Sequence, residues 1–200
     1  MNRTSLVVIV VIVALLAPLA QAQDTGSWIV RGRAVSLDSA NTNSADLKAT
    51  LTTVVGSPAE ASINNKTIPE VDITYFLSPN LAAELILTVP QKQKLSVTGV
   101  GEIGTFKHLP PTLTLQYHFT GLTGFRPYVG AGLNYTNISS VKWAAAVSAL
   151  NLNLKRNSYG LALQAGVDVP VGGGWLLNLD IKKVQIKTDV TSAGTKIGTF

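Results

Sequence analysis

Apolar and polar residues alternate with period two through much of this chain, the mark of strands whose two faces meet different surroundings. Near residue 71 the row Val71, Ile73, Tyr75, Leu77 is apolar, and Asp72, Thr74, Phe76, Ser78 lie opposite. Ser78-Pro79-Asn80 has the composition of a tight turn. Beyond it Leu81, Ala83, Leu85, Leu87, Val89 oppose Ala82, Glu84, Ile86, Thr88. The cleanest alternation sets Pro111, Leu113, Leu115, Tyr117, Phe119 against Thr112, Thr114, Gln116, His118. Next, Phe125 to Tyr135 opposes a row holding Arg126, Tyr128, Gly130, Gly132 and Asn134. Tyr159, Leu161, Leu163, Ala165, Val167, Val169 then face away from Ser158, Gln164 and Asp168. Gly172-Gly173-Gly174 turns the chain into Trp175, Leu177, Leu179, Ile181 against Asn178, Asp180, Lys182. An opening strand from Trp28 to about Leu37 puts Arg31 and Arg33 on its polar side.

These seven strands run to roughly ten residues or more, against a mode of five or six in globular sheets. That is the 9–11 residues or so of a strand that crosses a bilayer. Aromatic residues sit at the row ends, at Trp28, Tyr75, Tyr117, Phe119, Phe125, Tyr159 and Trp175. This suits girdles at the two membrane interfaces. Connections alternate between short (78–80, 120–124, 170–174) and long (39–68, 90–108, 138–157). Outer-membrane barrels have that asymmetry, with short periplasmic turns and long external loops. Within the third long connection, Ala-rich 141–150 is expected to form a short helix. A soluble sandwich would also alternate, with its apolar face turned to a core. Strand length, end-placed aromatics and an export leader together select a transmembrane, antiparallel, up-and-down all-β barrel.

The leader is Arg3, an apolar run from Leu6 to Leu19 broken by Pro18, and Ala20-Gln21-Ala22. These are the charged, apolar and cleavage parts of a signal peptide. The run is shorter than the roughly 20 residues of a spanning helix. The expected division is a leader over 1–22 and a barrel over 23–200. No later apolar run approaches spanning length, and a membrane protein without spanning helices must pair its backbone in a closed barrel. Composition removes other classes. The chain has no cysteine, which excludes disulfides, thiolate metal sites and cysteine catalysis. Net charge is +5 with scattered basic residues, so there is no nucleic-acid footprint.

Residues 71–84 (VDITYFLSPNLAAE), 107–119 (KHLPPTLTLQYHF), 125–135 (FRPYVGAGLNY) and 28–33 (WIVRGR) resemble the OmpW family of outer-membrane proteins. The resemblance covers nearly all the mature chain in order. It implies an eight-stranded barrel in the Gram-negative outer membrane, porin-like but narrow. It also implies passage of small hydrophobic molecules and no enzymatic activity. An even strand count is required when both ends lie in the periplasm, and seven strands are found. Ile103-Gly104-Thr105-Phe106 leads into a strand, and the same tetrapeptide recurs at Ile197-Gly198-Thr199-Phe200. The expectation is a chain truncated before its last strand.

Candidate lumen-lining residues are Arg31, Arg33, Asp72, Phe76, Glu84, Ile86, Gln116, His118, Arg126 and Asp180. The carboxylates on several strands share a side with the arginines, so ion pairs are expected, with a selectivity ring as the sharper alternative. Ile29, Phe76, Ile86 and Leu176 would place an apolar patch on this side. A lipid hydrolase or acyltransferase would need a nucleophile beside a base. The two histidines, His108 and His118, stand in no such motif. No catalytic residue, metal or cofactor is expected. The expected partners are outer-membrane lipid and a small hydrophobic solute, with the oligomeric state open. Two functions compete. One is a greasy channel. The other is a non-transporting, structural or stress-related barrel whose external loops bind partners, which a lumen tightly filled with paired charges would suit.

Overall fold

The computed structural model describes residues 25–200 and the backbone of 6–11. In chain order the strands are β1 (Leu6–Val11), β2 (Trp28–Asp38), β3 (Ala61–Ile63), β4 (Lys66–Phe76), β5 (Leu81–Thr88), β6 (Gln91–Val97) and β7 (Gly101–Leu109). There follow β8 (Thr112–His118), β9 (Arg126–Trp143), β10 (Leu152–Leu154), β11 (Asn157–Gly172), β12 (Trp175–Val184), β13 (Asp189–Ser192) and β14 (Thr195–Thr199). A helix α1 spans Ala45–Val55, and a 3₁₀ turn spans Ala145–Leu150.

The seven strands read from the sequence are β2, β4, β5, β8, β9, β11 and β12. Each pairs antiparallel with the next. Their alternation is inside out. Val30, Val71, Leu85, Leu113, Leu133, Leu161 and Leu179 stand exposed on the outer wall, while the polar rows are buried. Such a wall is stable only against lipid, where apolar surface meets an apolar solvent and every backbone group is paired within the sheet. Aromatic pairs mark its ends. Trp28 meets Tyr75 at 4.6 Å and Tyr117 meets Phe119 at 5.2 Å at the short-turn end, while Tyr135 meets Tyr159 at 5.2 Å at the other. Of the short turns, Gly172, Gly173 and Gly174 all have positive φ (92°, 58°, 80°), which side chains other than glycine's resist.

Between β2 and β12 lies β1, antiparallel to both, so the pairings return on themselves. This differs from the expectation of seven strands with two open edges. The LVVIVV run is rich in β-branched residues, and edge strands offer unpaired N–H and C=O groups to any such segment. The cleavage motif at Ala20–Ala22 lies outside the described residues.

The three long connections are not irregular loops. They build a second layer above the barrel. α1 starts at Ser44, whose side chain accepts from Leu47 N at 3.3 Å, and stops at Gly56 in the left-handed conformation. β6 and β7 form a hairpin, and β7 pairs with the outer part of β9. β10, β13 and β14 make a small separate sheet. β6 escaped the periodicity because its faces are Gln91, Gln93 and Lys92, Lys94, so both rows are polar there. The expected helix over 141–150 is also corrected: β9 continues to Trp143 and only Ala145–Leu150 coils, as a 3₁₀ turn.

This layer has an apolar core of Leu47, Leu95, Val97, Ile103, Phe106, Ile138, Leu154 and Val190, with Trp143, Ile197 and Phe200 against it. The repeated tetrapeptide feeds it twice. In both copies the isoleucine and phenylalanine pack on this core, and the glycine permits a close approach. A Cβ on Gly104 would lie 2.7 Å from Lys142 O, and one on Gly198 would lie 2.5 Å from Leu47 Cβ.

Candidate functional site

Inside the barrel the inward rows of all seven strands meet in one network. Arg31 on β2 grips Asp168 on β11 with both Nε (3.2 Å) and Nη2 (2.6 Å). Its Nη1 donates to Glu84 on β5 (3.1 Å) and to Thr74 on β4 (2.6 Å), and its guanidinium lies 5.6 Å from the Tyr128 ring centre. Arg33 pairs with Asp72 at 2.8 Å and donates to the Tyr128 hydroxyl at 3.2 Å. That hydroxyl donates to Asp180 at 2.7 Å. Lys182 on β12 pairs with Glu70 at 2.5 Å.

Five carboxylates (Glu70, Asp72, Glu84, Asp168, Asp180) thus face three cations (Arg31, Arg33, Lys182), all buried. Buried charge must be paired and hydrogen-bonded to be tolerated. Neutral donors meet the excess of carboxylate. Gln116 and Gln164 donate to Glu84 at 2.7 and 2.8 Å, and Asn178 donates to Asp168 at 2.7 Å. Toward the short-turn end the network rests on an apolar floor of Ile29, Phe76, Ala82 and Leu176. The His118 ring is held between Phe76 (4.9 Å) and Tyr128 (5.0 Å) and shares a 3.0 Å hydrogen bond with Gln116. No group of acidic and histidine side chains suited to a metal ion occurs among the described residues.

Of the candidate residues, Arg31, Arg33, Asp72, Phe76, Glu84, Ile86, Gln116, His118 and Asp180 are buried inside. Arg126 is half-buried at the start of β9. The expected apolar patch is divided. Ile29, Phe76 and Leu176 form the floor, whereas Ile86 lies at the opposite end, beside Val35, Ile68 and Lys182. The candidate set omitted Glu70, Tyr128, Gln164, Asp168 and Lys182. Only the fold shows that the bonds of Arg31 and Arg33 reach Asp168, Glu70 and Tyr128, that Gln164 donates to Glu84 and Asp180, and that Lys182 pairs with Glu70.

The external layer holds what the candidate set omitted entirely. A cavity of about 160 Å³ opens among Leu47, Leu51, Leu95, Val97, Phe106, Trp143 and Val190. Phe106, Thr188 and Phe200 also line a second space of about 90 Å³. That one shares Leu37, His108 and Ile186 with a third, of about 40 Å³, which reaches Glu70 and Lys182. Apolar space therefore descends from the external layer to the ionic network. His108 stands at the junction, where burial, with a further push from Lys66, pulls its pKa down to about 4. It is a neutral group in an apolar passage.

The sequence profile of the OmpW family matches residues 24–198. An uncharacterized outer-membrane protein y4mB of Sinorhizobium fredii is 42% identical over 132 residues, 66% of this chain and 56% of that protein. This chain thus spans little more than half of that relative's length. Outer membrane protein W of Escherichia coli K12 is 35% identical over 150 residues, covering 72% of this chain and 68% of its own. Among solved structures, the outer membrane protein OprG of Pseudomonas aeruginosa superposes with a TM-score of 0.71 at 26% identity, covering 90% of each chain. The inside-out barrel, its girdles and these similarities agree: the chain belongs to the OmpW family and is an outer-membrane β-barrel.

Proposed function

We propose that this barrel admits small hydrophobic molecules to the outer membrane by capturing them in its external layer. The apolar cavity carries this reading, at about 160 Å³ and lined almost wholly by aliphatic and aromatic side chains. Burying apolar surface yields about 25 cal/mol per Å², so a solute hiding roughly 150 Å² gains about 4 kcal/mol. That corresponds to millimolar affinity, tight enough to capture and loose enough to release. The straight path downward is unfavourable, since an apolar solute would part buried ion pairs and offer them nothing in return. On this reading the solute leaves sideways, from the apolar cavities toward lipid. The site residues line a closed lumen and act as its plug, and none is assigned a catalytic role.

The test is uptake of an apolar fluorescent dye by cells carrying this protein or Leu51→Lys, which puts a charge in the cavity. Uptake should fall to the empty-vector level in the variant while the folded, boil-sensitive barrel band persists. Equal uptake by both proteins sinks the capture idea. The second reading, a non-transporting barrel that binds partners externally, is favoured by one observation: the network that fills the lumen. It predicts uptake at the vector level for the unaltered protein.

A further inference from the structure

The outer face of the β6–β7–β9 wall carries lysines in two cross-strand rows. In the lower row Lys92 lies directly opposite Lys107, and Lys107 opposite Ser139. In the upper row Lys94, Thr105 and Lys142 are aligned in the same way. The four lysines are exposed, and their strands turn Gln91, Gln93, Phe106 and His108 inward. Lys94 is paired with Glu102 at 2.9 Å. Among the described residues Lys92, Lys107 and Lys142 have no ion pair. Lys66 adds a fifth ammonium at the rim, donating to the Lys92 carbonyl at 3.2 Å.

Two points make this more than a solvated surface. Like charges directly opposite on adjacent strands repel, and an anion between them reverses the sign of that interaction. The rows also lie just beyond the exposed apolar band of the outer wall, at its long-connection end. Lys92 follows Val89 by three residues, roughly 10 Å of strand, and Lys107 precedes the exposed Leu113. Both continue the outer wall that bears Leu87, Val89 and Leu113.

We propose that Lys92 and Lys107, with Lys142 above them, seat the phosphate of a lipid in the external leaflet, whose acyl chains lie along Leu87, Val89 and Leu113. The seat is independent of solute capture. It lies on the outside of the wall whose inner face meets the cavities, so either can fail without the other.

The test reads lipid retained per barrel, by native mass spectrometry, after extraction from phosphatidylcholine nanodiscs doped with phosphatidic acid. A juxtamembrane lysine contributes enough to expect about a fivefold loss for each one removed, so K92Q/K107Q should retain roughly twenty-five-fold less phosphatidic acid. K48Q/K196Q, which alters lysines elsewhere in the external layer, should match the unaltered protein. The proposal is overturned if K92Q/K107Q retains phosphatidic acid normally, or if both double variants lose it alike. It is equally overturned if glycerol 3-phosphate displaces the lipid at equal concentration, since that describes a site for a free phosphate.

Discussion

The barrel and the layer above it are built on opposite plans from one chain. In the barrel, charged and amide side chains fill the centre and leucines face outward. In the external layer, leucines, valines and phenylalanines fill the centre and lysines face outward. β9 passes from one plan to the other. Its Tyr128 and Asn134 are buried among polar groups, whereas Ile138 belongs to the apolar core. The same period-two backbone serves both because it only separates two faces. The surrounding solvent decides which face is covered. Lipid does so for β2, β4, β5, β8, β11 and β12, while the outer face of β6 and β7 carries exposed lysines beyond the apolar band.

Arg31→Ala should be the most damaging change. It leaves Asp168 with no cation and Glu84 with only Arg33 at 3.7 Å in a buried site, and losing one partner of such a pair costs about 3–5 kcal/mol. Urea unfolding in lipid vesicles would show this as a lower midpoint, and an unshifted midpoint would mean the network does not hold the barrel together. Phe106→Ala removes a ring from the apolar core, a change of similar size, about 3–5 kcal/mol. The loss should be confined to the external layer. Hydrogen exchange is expected to rise in β6, β7 and α1 while the barrel band stays boil-sensitive, and exchange rising through β8 would show that the two regions unfold as one.

Leu115→Arg tests the outer wall, where Leu115 is 51% exposed. In water such a change would be nearly silent, as Thr53→Arg on exposed α1 should be, within about 0.5 kcal/mol. Against lipid it should cost about 2–4 kcal/mol in vesicle unfolding. Equal midpoints for the two variants would remove the lipid from the argument. The smallest effect concerns pH. His108 holds its proton less tightly folded (about 4) than unfolded (about 6.5), so its contribution is complete above pH 6.5 and is lost as pH falls toward 4. Between pH 7 and 5.5 this amounts to about 1 kcal/mol in the external layer. His108→Gln should flatten that part of the profile, and an unchanged slope would show that His108 is solvated.

The barrel strands were legible because one face of each is uniformly apolar. Val71 to Leu77 and Leu113 to Phe119 announce themselves without any partner. Inward parity likewise marked Arg31, Arg33, Asp72 and Glu84. The external layer was illegible for the converse reason. Leu47, Leu95, Phe106 and Val190 stand in short, mostly polar stretches with few apolar neighbours, and they form a core only when α1, the β6–β7 hairpin and β13 are folded together. The tetrapeptide at 103–106 and 197–200 was visible as a repeat, but its meaning as two deliveries to one core was not.

By itself the sequence determined the all-β alternation, the strand lengths that suit a bilayer, the absence of thiol chemistry and the family resemblance, since each resides in local pattern. The tertiary structure alone decided that Arg31 closes on Asp168 across the barrel, that a paired ionic network fills the barrel's centre and that an apolar cavity sits above it. Those depend on contacts between residues more than a hundred positions apart, as Arg31 and Asp168 are (137 positions), and periodicity carries no information about such pairs.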